Sequence, residues 1–303
     1  MNFSESFACA VLLFCFYPRF ISSDKQRPFY NIGHMVNSIE EIEEFLKKGA
    51  NALEIDIQFF PNGSVKETNH GSPCDCRRTC DGRANLKDYL KHLRSITDPN
   101  TPGNYYEQLP MLFFDLKMET SNDKIESGRD IAWHVLNYLW GDNEDREQEI
   151  KVLLSFDNIN DKDVVIGFRN EFERQGQKSR LKDVGFDGGS GSLSDIEKIF
   201  GDLKIENVWI GDGMTNCFSF IRPDIRVKNA TAIRDSSDGF IDKVYKWTID
   251  MHFLMREALN IGVDAMITNE PDRLLEVIKE PEFERSFRLA TVDDNPFEKY
   301  IDE

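Results

Sequence analysis

Short apolar runs rich in β-branched and aromatic residues recur along the chain, separated by longer segments with helical spacing. The runs occupy residues 30–35, 52–59, 111–117, 151–156, 183–187, 207–212, 243–250 and 264–269. Between the first two, residues 38–48 set Ile39, Ile42, Phe45 and Leu46 on one face, and Gly49 ends that helix. Residues 124–139, 161–174, 194–200, 252–260 and 271–279 read as further helices, with Pro271 suited to a first helical turn. Strands that alternate with helices pair in parallel. Several of the runs are apolar throughout, as strands covered on both faces should be. The pattern predicts a closed (β/α)8 TIM barrel built as a single domain. An open doubly wound sheet is the competing architecture, but no Gly-x-Gly-x-x-Gly or P-loop follows any run. The fifth run and residues 218–238 carry the weakest pattern.

The 303 residues are 40% hydrophobic, enough for one large core. Charge narrows the function: 54 acidic against 37 basic residues give a net −17, so nucleic acid and anionic lipid are repelled. A membrane surface met by this chain is expected to carry electrically neutral headgroups. Residues 7–17 read FACAVLLFCFY, eleven apolar positions without a charge. A spanning helix needs about 20. The run therefore predicts a secretory signal peptide over residues 1–23, cleaved near Ser22 or Ser23, with the catalytic domain in 24–303. Glu5 stands where a basic residue is usual, and a buried core helix is the competing reading.

Removing that leader takes Cys9 and Cys15 and leaves Cys74, Cys76, Cys80 and Cys217. Cys74 and Cys76 are too close in sequence to pair well. Cys74–Cys80 with Cys76–Cys217, or the swapped arrangement, remains open. A bond to Cys217 closes a loop of roughly 140 residues, worth up to about 5 kcal/mol in the chain-entropy model. Zinc is the rival reading of Cys-Asp-Cys-x-x-x-Cys. Asn62-Gly63-Ser64 and Asn229-Ala230-Thr231 are glycosylation sequons that suit a secreted chain.

In a barrel of this type the chemistry gathers at the C-terminal ends of the strands. Glu54 and Asp56 are two apart on one strand, so both carboxylates face the barrel interior while Leu53 and Ile55 face the helices. Buried carboxylates need a proton, a partner or a metal. Asp115 on the next strand can complete a three-oxygen set, and hard oxygen ligands with room for water and a phosphate suit Mg2+ better than zinc. A salt-bridge cluster with Lys117 is the bland alternative. Of the five histidines, His92 and His134 lie on expected helices and read as surface or core residues. His34 stands at a strand end and His70 in a Gly- and Asn-containing loop, placed to exchange roles as general acid and base around a metal-held phosphate.

These residues carry a resemblance. Gly33-His34-Met35-Val36-Asn37, Glu54-x-Asp56, His70-Gly71-x-Pro73-Cys74-Asp75-Cys76 and Phe114-Asp115-Leu116-Lys117 resemble segments of the arachnid (spider and tick) sphingomyelinase D/phospholipase D toxins. So do Val244-Tyr245-Lys246-Trp247-Thr248-Ile249-Asp250, Asp264-Ala265-Met266-Ile267-Thr268-Asn269 and Ala290-Thr291-Val292-Asp293-Asp294-Asn295-Pro296. The similarity runs from about residue 27 to residue 300. It implies a barrel related to glycerophosphodiester phosphodiesterases, with His34 and His70 as the catalytic pair and Glu54, Asp56 and Asp115 as ligands of one Mg2+. Lys117, Tyr245, Trp247, Asp250 and Asn269 then line the headgroup pocket, and Asp75 supports the loop of the second histidine. The resemblance also implies the pairing Cys74–Cys80 with Cys76–Cys217. Phe297 departs from the tryptophan usual in spider members.

The implied activity is cleavage of sphingomyelin and lysophosphatidylcholine to choline and a cyclic phosphate, by attack of the lipid's own hydroxyl. Trp247 and Tyr245 are placed to meet the choline cation, with barrel packing as their alternative role. The implied setting is a secreted monomer, in venom or saliva, touching the outer membrane leaflet. Two other readings share the sequence: a glycerophosphodiester hydrolase with a non-cyclic product, and an inactive barrel that binds lipid or a host protein.

Overall fold

A computed structural model describes residues 26–141 and 149–300. The expected signal segment, residues 1–23, lies outside the described residues. The strands are β1 (Arg27–Gly33), β2 (Ala52–Phe59), β3 (Val65–Thr68), β4 (Met111–Lys117), β5 (Lys151–Phe156), β6 (Val184–Asp187), β7 (Val208–Gly213), β8 (Lys243–Trp247), β9 (Ala265–Thr268) and β10 (Phe287–Leu289). The helices are α1 (Ile39–Lys47), α2 (Leu86–Ile96), α3 (Lys124–His134), α4 (Asp163–Arg174), α5 (Leu193–Leu203), α6 (Ile225–Arg234), α7 (His252–Ile261) and α8 (Pro271–Ile278).

Eight of the strands pair in parallel in the order β1, β2, β4, β5, β6, β7, β8, β9, and β9 pairs back onto β1. The sheet is therefore closed, as predicted. Strand parity sorts the side chains into two cores. Leu53, Ile55, Leu112, Phe114, Val152 and Leu154 point outward and pack with the helices. Ala52, Met111, Phe113, Leu153, Trp209, Tyr245 and Ala265 point inward and fill the barrel. Helix α1 shows how local chemistry fixes each outer element. Ser38 caps it and Glu41 completes a capping box, while Ile42, Phe45 and Leu46 are the buried face.

Several boundaries differ from the pattern's expectation. Strand β1 ends at Gly33, so His34 leaves the sheet, and β8 ends at Trp247, which releases Thr248–Asp250 into the loop above. The expected helix 124–139 is α3 followed by a wider π turn, Val135–Trp140. Three elements lie where no element was expected, α6 and the flanking strands β3 and β10, while α2 is the helix expected around His92. Strand β3 returns antiparallel on β2 and carries the chain back to the mouth, where the Asn69 amide donates to the Asp56 carbonyl at 2.9 Å.

The bottom of the barrel is closed by the C-terminal segment. Strand β10 pairs with the start of β1, and beyond it Phe297 is 6% exposed among the inward side chains. The Trp209 indole N–H donates to the Pro296 carbonyl at 2.9 Å. A Cβ at Gly185 would stand 2.3 Å from Cε1 of Phe297, so glycine there makes room for the ring. The Phe297→Ala variant should therefore lose about 3 kcal/mol or more in denaturant unfolding. Gly185→Ala alone should also destabilise, by overpacking. The double variant should cost less than the two singles together, and strict additivity would show that the ring does not press on Gly185.

Candidate active site

The strand register builds the acidic centre. Asp56 on β2 lies directly beside Asp115 on β4, and Glu54 stands one inward position below Asp56. One oxygen from each of Glu54, Asp56 and Asp115 lies within 4.8 Å of the others. Glu54 is 2% exposed and Asp56 is fully buried. Their outer oxygens are claimed by the chain after β1. The Met35 amide donates to Glu54 Oε2 at 2.6 Å, and the Asn37 side chain donates to Asp56 Oδ2 at 2.6 Å. Lys117 Nζ sits 2.6 Å from Asp115 Oδ2 and 2.9 Å from Asp56 Oδ1.

One ammonium does not balance three carboxylates. With all three ionised, two negative charges would be left for a metal ion to match. Burial and the charge of Asp56 raise Glu54 from its ordinary 4.5 to about 8. Burial works against the Asp56 charge, but Lys117, His70 and Asn37 outweigh it and lower that carboxyl. Burial likewise opposes the Lys117 charge, and Asp115 and Asp56 together raise its ammonium well above the ordinary value. Asp115 Oδ1 is buried without a hydrogen-bond donor. An all-oxygen set with an orphaned carboxylate oxygen fits a hard cation.

The two histidines reach this centre from different elements. His34 follows β1, and His70 follows β3. Their ring centroids are 6.3 Å apart and nearly perpendicular. His34 Nδ1 lies 3.2 Å from Asp75 Oδ2 and 3.2 Å from Asn269 Oδ1. Burial disfavours the charged His34 ring, but the hydrogen bond to Asp75 and the charges of Glu54, Asp75 and Asp56 raise it to about 9. Burial opposes the Asp75 charge too, yet hydrogen bonds from His34, Thr215 and Asn269 hold that carboxyl well below its usual range. His70 Nδ1 donates to the Gly71 carbonyl at 3.0 Å. A carbonyl only accepts, so in both rings Nδ1 carries a proton and Nε2 is the atom left for chemistry.

A cavity of about 290 Å³ opens above these groups. Of the residues singled out in the sequence, His34, His70, Glu54, Asp115, Lys117, Tyr245 and Trp247 line it. Asp56 lies beneath. Asp250 and Asn269, expected in the pocket wall, do not line it and form a brace behind His34 instead. Asn269 donates from Nδ2 to Asp75 at 3.1 Å and to Asp250 at 2.9 Å, and Asp250 also accepts from the Asn269 amide at 2.8 Å. Asp75, carried by the loop that follows His70, turns its carboxylate onto His34. That loop is stapled by Cys74–Cys80, with Cα atoms 5.7 Å apart, and tied to the β7–α6 loop by Cys76–Cys217. Both disulfides are present in the fold.

Sequence reasoning missed the other side of the cavity. Ser155, Asp157, Asp187, Asp212 and Arg222 line it as well. Four of the five stand at or just past the ends of β5, β6 and β7; strand-end parity points to Ser155, Asp157 and Asp187, whereas Asp212 shares the outward parity of Ile210. Asp187 accepts from Ser155 at 2.8 Å and from the Tyr245 hydroxyl at 2.7 Å. Gly211 pairs with Tyr245 in the sheet, and a Cβ there would stand 2.2 Å from the Tyr245 ring.

A model of the dermonecrotic toxin SPH family matches residues 24–297. The chain belongs to the dermonecrotic toxin family. It is 39% identical over 284 residues to a dermonecrotic toxin of Loxosceles intermedia, covering 92% of this chain and 91% of that one. A Loxosceles arizonica toxin is 39% identical over 274 residues, with 89% and 99% covered. The arachnid toxin resemblance drawn from the motifs thus holds across the whole matched span. In fold, the family member is similar to a Silicibacter pomeroyi protein assigned as a glycerophosphoryl diester phosphodiesterase, with TM-score 0.56 and 14% identity over 87% and 97% of the two chains. It is also similar to an Oleispira antarctica phosphodiesterase solved with sn-glycerol-3-phosphate, with TM-score 0.51 and 16% identity over 84% and 98%. These two likenesses concern the barrel alone.

Two predictions follow from the electrostatics. Because Glu54 is raised, the metal-free protein loses stability as pH climbs from about 4.5 to about 8, the interval in which only the unfolded state releases that proton. Mg2+ should therefore raise Tm more at pH 8 than at pH 5, and Glu54→Gln should remove most of that difference. A Tm shift independent of pH would contradict the arrangement. His34 acts in the same direction over a higher interval: its contribution is complete below 6.5 and disappears as pH rises through about 9. In the metal-free protein its imidazole NMR signals should titrate near 9, and Asp75→Asn should move that midpoint toward 6.5.

Proposed function

We propose that this toxin-family barrel is a secreted sphingomyelinase D/phospholipase D-type lyase that cleaves sphingomyelin and lysophosphatidylcholine to choline and a cyclic phosphate. The observation that carries the reading is the pair of imidazoles, 6.3 Å apart, beside three carboxylates that share one focus. Glu54, Asp56 and Asp115 would hold one Mg2+, which when bound supplies positive charge against the developing charge on the phosphoryl oxygens.

The protein's own part is proton handling and placement. One histidine accepts the proton of the lipid hydroxyl as its oxygen attacks phosphorus. The other delivers a proton to the choline oxygen as the P–O bond to choline breaks, so the ring closes and choline leaves as its alcohol. Holding the hydroxyl against its own phosphate makes the attack intramolecular and favours it over water. Asp75 orients His34, and the Gly71 carbonyl orients His70. Lys117 pairs with Asp56 and Asp115, and Trp247, at the mouth, offers a ring face to the headgroup cation.

The setting is consistent with this reading. The segment 1–23 is proposed as the signal peptide, two disulfides suit an oxidising compartment, and the sequon residues Asn62 and Asn229 are exposed and proposed as glycan sites. No helix among the described residues is long and apolar enough to cross a membrane. The proposed route to lipid is peripheral contact by a monomer with the outer leaflet. Phe218, Phe220, Ile221 and Ile225 are 52–69% exposed on either side of Arg222, which lines the cavity.

The decisive experiment is phosphorus NMR of the products from sphingomyelin with Mg2+. A cyclic phosphate is expected, EDTA should abolish turnover, and His34→Ala or His70→Ala should each lower kcat/KM by about 100-fold or more. A phosphomonoester alone would make the chain a glycerophosphodiester-type hydrolase, and no turnover at all would leave a binding barrel.

A further inference from the structure

The β2–β3 hairpin turns through Phe60-Pro61-Asn62-Gly63-Ser64, which contains one of the two sequons. The Gly63 amide donates to the Phe60 carbonyl at 2.9 Å, and the Phe60 amide donates to the Ser64 carbonyl at 2.9 Å. Pro61 and Asn62 keep negative φ, so these bonds close a type I turn, with Pro61 at its favoured second position. Gly63 follows at φ +89°, the left-handed residue of a glycine bulge.

This turn has two faces. The inner one lies against α3 and the chain before it. The Asn122 amide donates to the Pro61 carbonyl at 3.0 Å, and a Cβ at Gly63 would stand 2.5 Å from the Asp123 carbonyl oxygen. Phe60, Asn62 and Ser64 share the outer face. Phe60 stands opposite Ser64 across the hairpin, which puts both side chains on one side. Asn62 joins them, because the Ser64 hydroxyl and amide donate to its Oδ1 at 2.8 and 3.2 Å. Asn62 Nδ2, the atom that takes a glycan, makes no hydrogen bond among the described residues.

Phe60 sets this sequon apart. It is 46% exposed, and no aromatic ring among the described residues packs on it. One face of a sugar chair is a set of axial C–H bonds, apolar and slightly positive, which suits the negative face of an aromatic ring. A sugar on Asn62 reaches the Phe60 ring along their shared face and takes apolar surface out of water. The second sequon lacks this provision. Asn229 lies on α6, which holds no aromatic residue, and Thr231 is 6% exposed with its hydroxyl donated to the Lys228 carbonyl at 2.9 Å.

We propose that Asn62 carries an N-linked glycan whose first N-acetylglucosamine packs on Phe60 and stabilises the hairpin that delivers His70 to the site. Attachment joins Asn62 Nδ2 to the anomeric carbon of a lipid-diphosphate-linked oligosaccharide. That carbon's bond to the phosphate oxygen breaks, the lipid diphosphate leaves, and the amide nitrogen gives up one proton. The proposal rests on the secretory route proposed above and is independent of the reaction.

The test secretes the full chain from a eukaryotic host that keeps glycans in the high-mannose form, behind its own leader and behind a foreign one. Glycopeptide mass spectrometry should find Asn62 occupied. Thermal unfolding should give the glycosylated protein a Tm about 2 °C above that of the enzymatically deglycosylated protein. Endoglycosidase trimming to the first sugar should keep that gain. In Phe60→Ala the gain should vanish, and the charge that full deglycosylation leaves at position 62 is common to both backgrounds and cancels. Asn229→Gln should leave Tm where it was. A secreted chain with Asn62 unoccupied, or a gain that survives Phe60→Ala, would overturn the proposal. Secretion by the foreign leader alone would strike the leader reading, and the same Tm comparison would still decide whether the sugar rests on Phe60.

Discussion

Asp56 beside Asp115 in the β2–β4 register is the constraint on which this structure is organised. Parallel pairing sets two carboxylates side by side inside a closed barrel, and Glu54 adds a third on the same face. Isolated burial of such groups costs several kcal/mol each. The neighbouring chain offsets this with donors that have little freedom: the Met35 amide, the Asn37 side chain and the Lys117 ammonium. What these leave uncompensated is a focus of carboxylate oxygens that could hold a metal ion. The apolar lower layer and the Phe297 plug keep the barrel rigid enough to hold that unfavourable grouping in place.

The same economy governs the histidines. Neither sits in a strand, so their spacing depends on how two loops are held. The β3 hairpin brings His70 back over Asp56, and the loop beyond it presents Asp75 to His34. One loop thus carries one imidazole and orients the other. Cys74–Cys80 and Cys76–Cys217, with Arg78 reaching Asn269 at 3.1 Å and the Met35 carbonyl at 3.2 Å, fasten that loop to three parts of the rim. Disulfides here stabilise a geometry at the site as well as the chain.

How far the sequence could be read follows from what each element depends on. The barrel and its inward carboxylates were legible because they rest on parity and on apolar runs, as in residues 52–59 and 111–117. Helix α2 carries Leu86, Tyr89, Leu90 and Leu93 at helical spacing, a stripe that marks the helix expected around His92. Helix α6 was not legible, since Ile225 is exposed and Asp224 gives it no side-chain cap. Strands β3 and β10 are short and are defined by what they pair with, which local sequence does not state. At the site, identities were readable and directions were not. Asp250 lies beyond the end of β8 and Asn269 just beyond the end of β9, and the two bond to each other behind His34 instead of lining the cavity. Asp187, Asp157 and Asp212 escaped because attention to strand ends stopped at five of the eight.

The rim bears on how so acidic a protein could meet lipid. Residues 218–226 mix exposed Phe218, Phe220, Ile221 and Ile225 with Arg222, Asp224 and Arg226, which looks unsuited to an apolar surface. Each of those charges is satisfied within the fold. Arg222 pairs with Asp212, Asp224 with Lys246 at 2.6 Å, and Arg226 donates to the Gly189, Gly191 and Gly211 carbonyls. What the loop presents outward is apolar, and its ionic groups serve to anchor it to the ends of β6, β7 and β8. A net charge of −17 spread over the rest of the surface repels anionic lipid, while a rim of this kind can rest on zwitterionic headgroups, whose net charge is zero.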